Sequence, residues 1–523
     1  MGSTPQGEED AVRTAEVIAA ACLATDLGMG FPFEHGLHAT LMTMRLAEIL
    51  DIGEEMASQT YYASLLMYSG CTTDSDLALE IFAGSRTEHL TPAMFGSRMQ
   101  GLGGVMRAVR DPEDAALRPF DTAGRLVRAA RFRQPHFAAI CEVAEMLANR
   151  LGVPDSVSGL FPYLTERWDG KGVLGRAKAE ELPLPIRIIH VARDAAYQQM
   201  VRGDDDVAET VRSRAGHAFD PAIAEALATA WPEILAAARV GGSVWDVVLD
   251  VEPNPRYVLE GSGIDRALAA IGYFGDLVSP YQSGHASGVA DLAAAAAEVC
   301  RLGGAEKSRV RRAAFVHDVG RVAVHPRVWQ TTARLTADDW EQIRLHPYHT
   351  GRVFSRSPLL SSVADIGCGH HERLDGSGYH RGLSGPALPL PIALLAAADA
   401  YHAMTEPRPH RLAMTGEEAA VMLGQEAKDG RFHPDVVAAV LEAAGQSVPP
   451  LPRPAGLTDR EAQVIGLVAR GLQTKQVARR LDISPKTADR HIQNAYRKIG
   501  VSTRAAATVF AMEHGLVSGE NSQ

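Results

Sequence analysis

The sequence predicts an all-α protein in which tandem helical domains precede a separate four-helix domain. Alanine is abundant, aromatic residues make up 6% of the chain, and alternating runs of β-branched residues are scarce. This composition favours helices over strands. A chain of 523 residues is too long for one hydrophobic core and indicates about three domains.

Prolines mark the predicted domain boundaries. Four prolines within Ser447–Gly456 favour an extended linker, because proline cannot continue a helix. A softer boundary lies near Val251–Pro255. We therefore predict helical domains over 15–250 and 261–446, a linker over 447–456 and a C-terminal domain over 457–517.

Charge is unevenly distributed along the chain, whose net charge is −11. Residues 457–517 hold ten Lys and Arg against five Asp and Glu, whereas residues 1–456 hold 42 against 57. A basic end on an acidic body predicts that only this end binds a polyanion. The five cysteines form no CxxC pair, and no run of 18 apolar residues occurs. We therefore expect a cytoplasmic protein with neither a signal peptide nor a membrane span.

The two predicted helical domains share short segments in the same order, which indicates an internal duplication. The matching pairs are Glu166–Gly172 with Glu372–Gly378, Pro183–Pro185 with Pro389–Pro391, Phe219–Pro221 with Phe432–Pro434, and His35 with His285. The first two pairs are both 206 positions apart. We call these domains the first and second copy.

Histidines and carboxylates concentrate in the second copy, where nine of the 19 histidines fall between His285 and His402. His317-Asp318 ends an apolar segment, and His370-His371 is followed by Glu372. Imidazole and carboxylate together suit Fe, Mn or Zn, and adjacent ligands can serve two neighbouring ions. The pattern predicts a metal site.

The order of these motifs resembles the HD superfamily, and within it the HD-GYP branch, known for cyclic di-GMP phosphodiesterases. The resemblance covers roughly residues 281–440 and rests on His285, His317-Asp318-Val-Gly320, His346-Pro-Tyr-His-Thr-Gly351, the segment His370–Tyr379 and Ala398-Asp-Ala400. It implies a metal-dependent phosphohydrolase acting on a cyclic dinucleotide or another phosphoester.

The resemblance also implies the site residues. One metal would be held by His285, His317, Asp318 and Asp399, and the second by His346, His370 and His371, with Asp318 bridging both. Tyr281 stands where three-metal members have Glu, so two divalent ions are expected, Fe or Mn ahead of Zn or Mg. The implied catalytic residues are Asp318, Arg321 and His346, and the implied substrate loop contains Asp375, Gly376, Gly378, Tyr379 and His380.

Two positions depart from the family pattern and leave alternatives open. His380 replaces the proline of the GYP motif, and His402 replaces an Asp that usually follows the metal-binding Asp by three. One alternative is therefore a regulator without turnover, whose second copy binds a metal or a nucleotide effector. Another is hydrolysis of a different phosphoester, such as a nucleotide monophosphate or an alarmone.

The first copy lacks most of the implied ligands. Met67-Tyr68 stands where His317-Asp318 is expected, and Leu164-Thr165 replaces the histidine pair. Only His35, with Asp194 as a further candidate, occupies a ligand position, so we predict no dinuclear site here. The first copy is either a helical brace or dimerisation surface, or a pocket for a regulatory small molecule.

The C-terminal domain carries clear helix signals. Thr458 and Glu461 form a capping box, Gly471 ends the first helix, and a short helix Lys475–Leu481 follows. Ser484-Pro485 then begins a basic third helix, and a fourth helix starts near Arg504. This plan is that of a helix-turn-helix, whose second helix enters the major groove.

Residues 457–517 resemble the LuxR/GerE-type DNA-binding domain, which implies double-stranded DNA as a partner and a homodimer formed through the fourth helix. The side chains expected nearest the DNA are Lys486, Thr487, Arg490, His491, Gln493 and Asn494. Phosphate contacts are expected from Lys475, Arg497 and Lys498.

Overall fold

A computed structural model describes residues 11–70, 103–104, 106, 119–447, 454–514 and 516. Helices dominate this part of the chain, which confirms the predicted fold class. In the first half the helices are α1 (Thr14–Met29), α2 (His35–Ile49), α3 (Glu54–Leu65), α4 (Pro119–Arg150), α5 (Asp155–Ser158), α6 (Leu184–Arg202), α7 (Val207–Ser213), α8 (Pro221–Thr229), α9 (Trp231–Ala238) and α10 (Val244–Asp250).

The helices continue to the C-terminal end of the described chain. They are α11 (Ser262–Asp276), α12 (His285–Val299), α13 (Gly304–Val316), α14 (Pro326–Gln330), α15 (Ala337–Phe354), α16 (Pro358–Gly367), α17 (Leu390–Met404), α18 (Gly416–Lys428), α19 (Pro434–Ala443), α20 (Asp459–Ala469), α21 (Thr474–Arg480), α22 (Pro485–Lys498) and α23 (Arg504–Glu513).

One short antiparallel strand pair interrupts the helical pattern. Strand β1 (Ala11–Arg13) pairs with β2 (Val258–Glu260), with Val12 opposite Leu259. The two strands have three residues each and lie far apart in sequence, so neither carries a local signal strong enough to predict it.

The described residues divide into two compact units. One unit takes those up to 287 together with 315–364, and the other takes 288–314 and those from 365 onward. The predicted domain boundaries follow motif order rather than this division, and they stay predictions. Most of the predicted linker, residues 448–453, lies outside the described residues.

In the first unit, helices α2, α6, α7, α8 and α9 share one hydrophobic core. Met42, Ile188, Leu227 and Trp231 are among its buried members. Helix α1 is buried on nearly all faces, and it packs against α15 and the turn at 319–323. A helix that is apolar all round must be enclosed by other elements.

Several local features occur in both predicted copies. The carboxylate of Asp26 accepts a hydrogen bond from the Gly36 amide at 3.0 Å, and Asp276 accepts one from the Ala286 amide at 3.2 Å. Each pair is separated by ten residues and ends just after the first histidine of its copy. These shared bonds are consistent with the duplication, which remains our interpretation.

Corresponding helices of the two predicted copies also begin with the same kinds of residue. Helices α6 and α17 both begin with Leu-Pro, and helices α8 and α19 both begin with a proline that follows a capping side chain. Asp220 caps α8 by accepting from the Ala222 amide, and His433 caps α19 by accepting from the Asp435 amide. A side-chain acceptor before proline fixes where a helix starts.

The C-terminal module has four helices, α20 to α23, close to the predicted bounds. Thr458 and Glu461 form the predicted capping box, and Ser484 caps α22 through the Thr487 amide. Gly471, at φ 94°, ends the first of these helices in a conformation that suits glycine. Val464, Val477 and Ala488 join three of the helices in one core.

Within the described ranges, no helix is both long and apolar enough to cross a membrane.

Candidate metal centre and DNA-binding module

Four buried side chains surround the carboxylate of Asp318 in the first unit. We call His285, His317, Asp318, Arg321 and His346 the Asp318 cluster. Nε2 of His285 lies 3.5 Å and Nε2 of His317 3.1 Å from Asp318 Oδ2. Nε2 of His346 lies 3.2 Å from Oδ1, and an Arg321 nitrogen lies 2.7 Å from Oδ2. All five residues are at most 6% exposed, so water does not screen these contacts.

A close helix contact places His346 beside this carboxylate. Asp318 follows the end of α13, and Gly320 lies in the next turn against α15. A Cβ on Gly320 would stand 2.0 Å from the backbone oxygen of His346. Thr350, one turn later, donates to the His317 oxygen and accepts from the Gly320 amide, both at 2.9 Å. The glycine and the threonine thus bring two of the predicted motifs together.

The electrostatics of the cluster favour a charged Asp318 carboxylate beside a neutral His346 imidazole. Burial opposes ionisation of Asp318, but the charges of Arg321 and His317, with the contacts to His317 and His346, outweigh it and hold the pKa of Asp318 well below its usual range. Burial lowers the pKa of His346, against the pull of Asp318. Metal ligands must be deprotonated, so these protonation states suit metal binding.

The second unit contains its own group of potential ligands, His370, His371 and Asp399, which we call the His370 cluster. The two imidazole rings stand 4.1 Å apart, and Nδ1 of His371 lies 4.0 Å from Asp399 Oδ2. Nδ1 of His370 contacts the Gly367 oxygen at 2.7 Å. In the first unit, Nδ1 of His346 contacts the Ile343 oxygen in the same way. Such backbone contacts orient an imidazole and leave Nε2 for a metal.

His402, one of the departures from the family pattern, lies nearby in the same unit. Its Nδ1 stands 3.3 Å from Glu406 Oε1. Its ring packs on Gly288 so closely that a Cβ there would lie 1.9 Å from Nε2. Glycine at 288 therefore makes room for an imidazole at 402, which is larger than the expected aspartate.

Two segments of the chain match known protein families. Residues 276–436 match the family model described as HD domain, and residues 455–511 match the model described as bacterial regulatory proteins, luxR family. The chain contains an HD domain and a LuxR-type domain. The two family resemblances predicted from the sequence are thereby confirmed.

Several relatives of this chain are phosphodiesterases by name. The 3'3'-cGAMP-specific phosphodiesterase 3 of Vibrio cholerae is 24% identical over 82% of this chain and 94% of its own length. A cyclic di-GMP phosphodiesterase of Thermotoga maritima is 35% identical, but the match spans 26% of this chain and 37% of that protein.

A solved structure extends the likeness to the fold. The crystal structure of a cyclic GMP-AMP specific phosphodiesterase of Vibrio cholerae (V-cGAP3) matches with a TM-score of 0.57. The match covers 83% of this chain and 98% of that chain, at 21% sequence identity. It shows a common fold across most of the chain.

The predicted substrate loop of the HD domain is held by the buried Glu372, to which the sequence assigned no role. Both carboxylate oxygens of Glu372 accept backbone amides, from Arg381 at 2.7 Å and from Leu383 at 2.8 Å. Gly378 allows the chain to turn back close to Glu372, since a Cβ there would lie 2.5 Å from the Glu372 Cα. Tyr379 packs beside His371, with ring centroids 4.6 Å apart.

The other predicted loop residues belong to the same segment of the chain. Asp375 is exposed and accepts from the Ser377 amide at 2.9 Å, Gly376 has φ 79°, and His380 follows Tyr379 through a cis peptide bond. An aspartate that caps its own turn, with glycine beside it, is typical of tight loops.

In the LuxR-type domain, most predicted DNA contacts are exposed on α21 and α22. The exposed residues are Lys475, Lys486, Arg490, Gln493, Arg497 and Lys498, and the half-buried ones are Thr487, His491 and Asn494. Two of them have partners within the domain. Lys498 Nζ binds Glu461 at 2.6 Å and the Gly456 oxygen at 2.9 Å, and the Thr487 hydroxyl lies 2.8 Å from that of Ser484.

Sequence reasoning missed the two buried aspartates that precede the first histidine of each copy. Burial raises the pKa of Asp276 to about 6, while the charge of His285 lowers it. Burial likewise raises the pKa of Asp26 well above its usual range, against the hydrogen bond from Gly36. The signal that could have found them is their equal spacing, ten residues before Gly36 and Ala286.

Proposed function

We propose that this protein is a transcription regulator whose HD domain is a metal-dependent phosphodiesterase acting on a cyclic dinucleotide. The observation that carries the proposal is the buried Asp318 cluster, in which three imidazoles and a cation converge on one ionised carboxylate. The phosphodiesterase names of the relatives give the substrate class.

The proposed ligands are those that the family resemblance implies. They are His285, His317, Asp318, His346, His370, His371 and Asp399. Charged Asp318 and neutral His346 match the donor set that Fe, Mn or Zn prefers over Mg. When bound, two such ions would acidify a water to hydroxide and neutralise charge on the attacked phosphate.

Arg321 would position the substrate. Its guanidinium lies against Asp318 and stands 5.1 Å from the centre of the Trp329 ring, which holds the planar fork in one orientation. A held guanidinium can bind two oxygens of one phosphate, whereas a lysine presents a point charge. Tyr379 and the loop tied to Glu372 would contact the remainder of the substrate.

The LuxR-type domain would bind double-stranded DNA through α22, as a homodimer formed through α23. The net charge of +5 over residues 457–517 and the exposed cations of α21 and α22 support this part. A role at DNA implies a cytoplasmic protein.

Turnover by the full-length protein tests the enzymatic part. We would purify the protein aerobically and anaerobically and measure cleavage of cyclic di-GMP, 3'3'-cGAMP and a generic phosphodiester with added Mn²⁺ or Fe²⁺. Asp318→Ala is the inactive control. Cleavage of a cyclic dinucleotide that this variant abolishes would establish the proposal.

Other outcomes would replace it. Two bound metals without turnover of any phosphoester would favour a regulator whose HD domain binds a nucleotide as an effector, as the changed residues His380 and His402 suggest. Turnover of a monophosphate or an alarmone alone would keep the enzyme and change its substrate.

A further inference from the structure

The first copy keeps the framework of the HD site while its metal-ligand positions carry other residues. A Cβ on Gly70 would lie 2.1 Å from the backbone oxygen of Ile140, just as one on Gly320 would lie 2.0 Å from that of His346. Gly70 and Gly320 are 250 positions apart, and Ile140 and His346 are 206 apart, the same spacings that relate the shared motifs. Ile140 therefore occupies the position of a metal ligand.

Glu166 makes the same kind of backbone contact in the first copy that Glu372 makes in the second. Its side chain is fully buried and accepts the Arg176 amide at 3.0 Å, as the buried Glu372 accepts the Arg381 amide in the second copy. Gly172 permits this return, since a Cβ there would lie 2.6 Å from the Glu166 Cα. Gly378 plays that part in the other copy.

At the position of Asp399, the first copy carries an arginine. Helices α6 and α17 both begin with Leu-Pro, and Arg193 and Asp399 each stand nine residues after that leucine. Arg193 is 2% exposed. Asp194, the candidate ligand from the sequence, instead pairs with Arg214 and accepts from Gln198. Asp194 thus lies one residue after the position that corresponds to Asp399, and its role as a surviving ligand stays a prediction.

Aromatic rings line the side of the site next to this cation. The guanidinium carbon of Arg193 lies 5.5 Å from the centre of the Tyr68 ring, and Tyr68 stands at the position of the bridging Asp318. Phe31 lies between Tyr68 and His35, with ring centroids 5.2 and 4.6 Å away. His35 is 6% exposed, and its Nε2 has no hydrogen-bond partner among the described residues.

The chemistry of this group is that of an anion site rather than a metal site. Where the second copy has carboxylate and imidazole ligands, the first has a fixed cation, a phenol, an imidazole nitrogen available for a ligand and apolar side chains. Guanidinium binds phosphate through paired hydrogen bonds, and aromatic faces stack on nucleobases. In the described part of the first copy, no three potential metal ligands come together.

We propose that the first copy is a metal-independent binding site for a phosphate-bearing nucleotide, with Arg193 as the anchor for the phosphate group. Tyr68 and Phe31 would face the base, and His35 Nε2 would complete the polar contacts. This inference does not depend on turnover by the HD domain.

Equilibrium binding to the full-length protein tests the proposal. The probes are inorganic phosphate, GMP and cyclic di-GMP, measured calorimetrically with EDTA present in the Asp318→Ala background, so that the HD site does not contribute. We expect about one nucleotide bound per chain, and a loss of affinity of about tenfold or more in Arg193→Met. Arg202→Met, at the exposed end of the same helix, is the matched control and should bind as the parent does.

Each outcome decides the question. Binding of phosphate alone would overturn the nucleotide assignment, and no binding of any probe would overturn the site. Equal binding by Arg193→Met and the parent would also overturn it. If Arg193→Met fails to fold by circular dichroism, Arg193→Lys replaces it. That variant keeps the charge but loses the fork, and a loss of about threefold or more would support the proposal, whereas unchanged affinity would overturn it.

Discussion

Burial of His190 makes the stability of the first copy depend on pH. His190 is 2% exposed, and its ring nitrogen contacts the Leu164 oxygen at 3.1 Å. Burial, with the nearby charge of Arg193, lowers the pKa of His190 to about 3. A histidine whose folded-state pKa is lowered contributes stability that is present above its ordinary pKa of about 6.5 and is lost as the pH falls towards the folded value.

Acidification should therefore destabilise the protein through His190. Between pH 7 and pH 5 this residue should account for a loss of about 2 kcal/mol in the free energy of unfolding, and His190→Gln should remove that part. Urea unfolding at the two pH values measures it. His217→Gln, at an exposed site, is the control and should follow the wild type. An equal acid loss in His190→Gln would contradict this account.

Substitution of Arg321 gives a second prediction at the scale of a single residue. We expect Arg321→Met to lower kcat/KM by about 100-fold, because it removes the cation that we propose to bind the substrate phosphate in a buried site. Arg321→Lys keeps the charge without the fork and should lose about tenfold or less. Steady-state kinetics at saturating metal separate these values. Full activity in Arg321→Met would exclude a role in substrate binding.

At the scale of elements, the contact between α15 and the turn after Asp318 depends on Gly320. In Gly320→Ala, Cβ would meet two backbone atoms, the His346 oxygen and the Thr350 nitrogen, and backbone cannot move aside cheaply. The variant should lose about 3 kcal/mol of stability and much of its bound metal. Gly304→Ala is the control, since its Cβ meets nothing within 4 Å and the change should be neutral or stabilising. Thermal unfolding with metal analysis tests both, and a stable, metal-loaded Gly320→Ala would contradict the assigned contact.

Two adjacent cations at the end of α22 should behave differently on DNA. Lys498 is bonded to Glu461 and to the Gly456 oxygen, whereas the Arg497 side chain is exposed. Arg497→Gln should reduce the slope of log K against log salt by about one unit. Lys498→Gln should change that slope little but lower the melting temperature of the module. Titration of a duplex at several salt concentrations distinguishes the two, and equal slopes in both variants would contradict this assignment.

The elements that could be predicted from sequence are those with local signals. Thr458, Ser484 and Gly471 set the bounds of the C-terminal helices through capping, which depends on a few neighbouring residues. The β1–β2 pair, the Gly320–His346 approach and the Lys498–Glu461 bond join residues distant in sequence, and no local pattern encodes them. Arg193 was missed for a related reason. Its importance becomes visible only when α6 is aligned with α17, where Asp399 occupies the equivalent position.

At the scale of the whole molecule, one chain combines an HD domain with a LuxR-type domain. Enzymatic state can regulate DNA binding only if a ligand has different affinities for two conformations of the protein. The proposed duplication would allow a division of labour, in which the second copy performs the proposed chemistry and the first binds a nucleotide. The nucleotide would then act as the signal and the HD domain as the enzyme that removes such signals.

Metal reconstitution tests most directly whether the HD domain is a metal-dependent phosphodiesterase. Metal would be removed from the full-length protein with a chelator and returned stepwise as Mn²⁺ or Fe²⁺, with bound metal and cleavage of cyclic di-GMP and 3'3'-cGAMP measured at each step. We predict that activity appears with bound metal, reaches its maximum near two ions per chain, and is absent at every step in Asp318→Ala. Activity that persists without metal, or that Asp318→Ala retains, would contradict the claim.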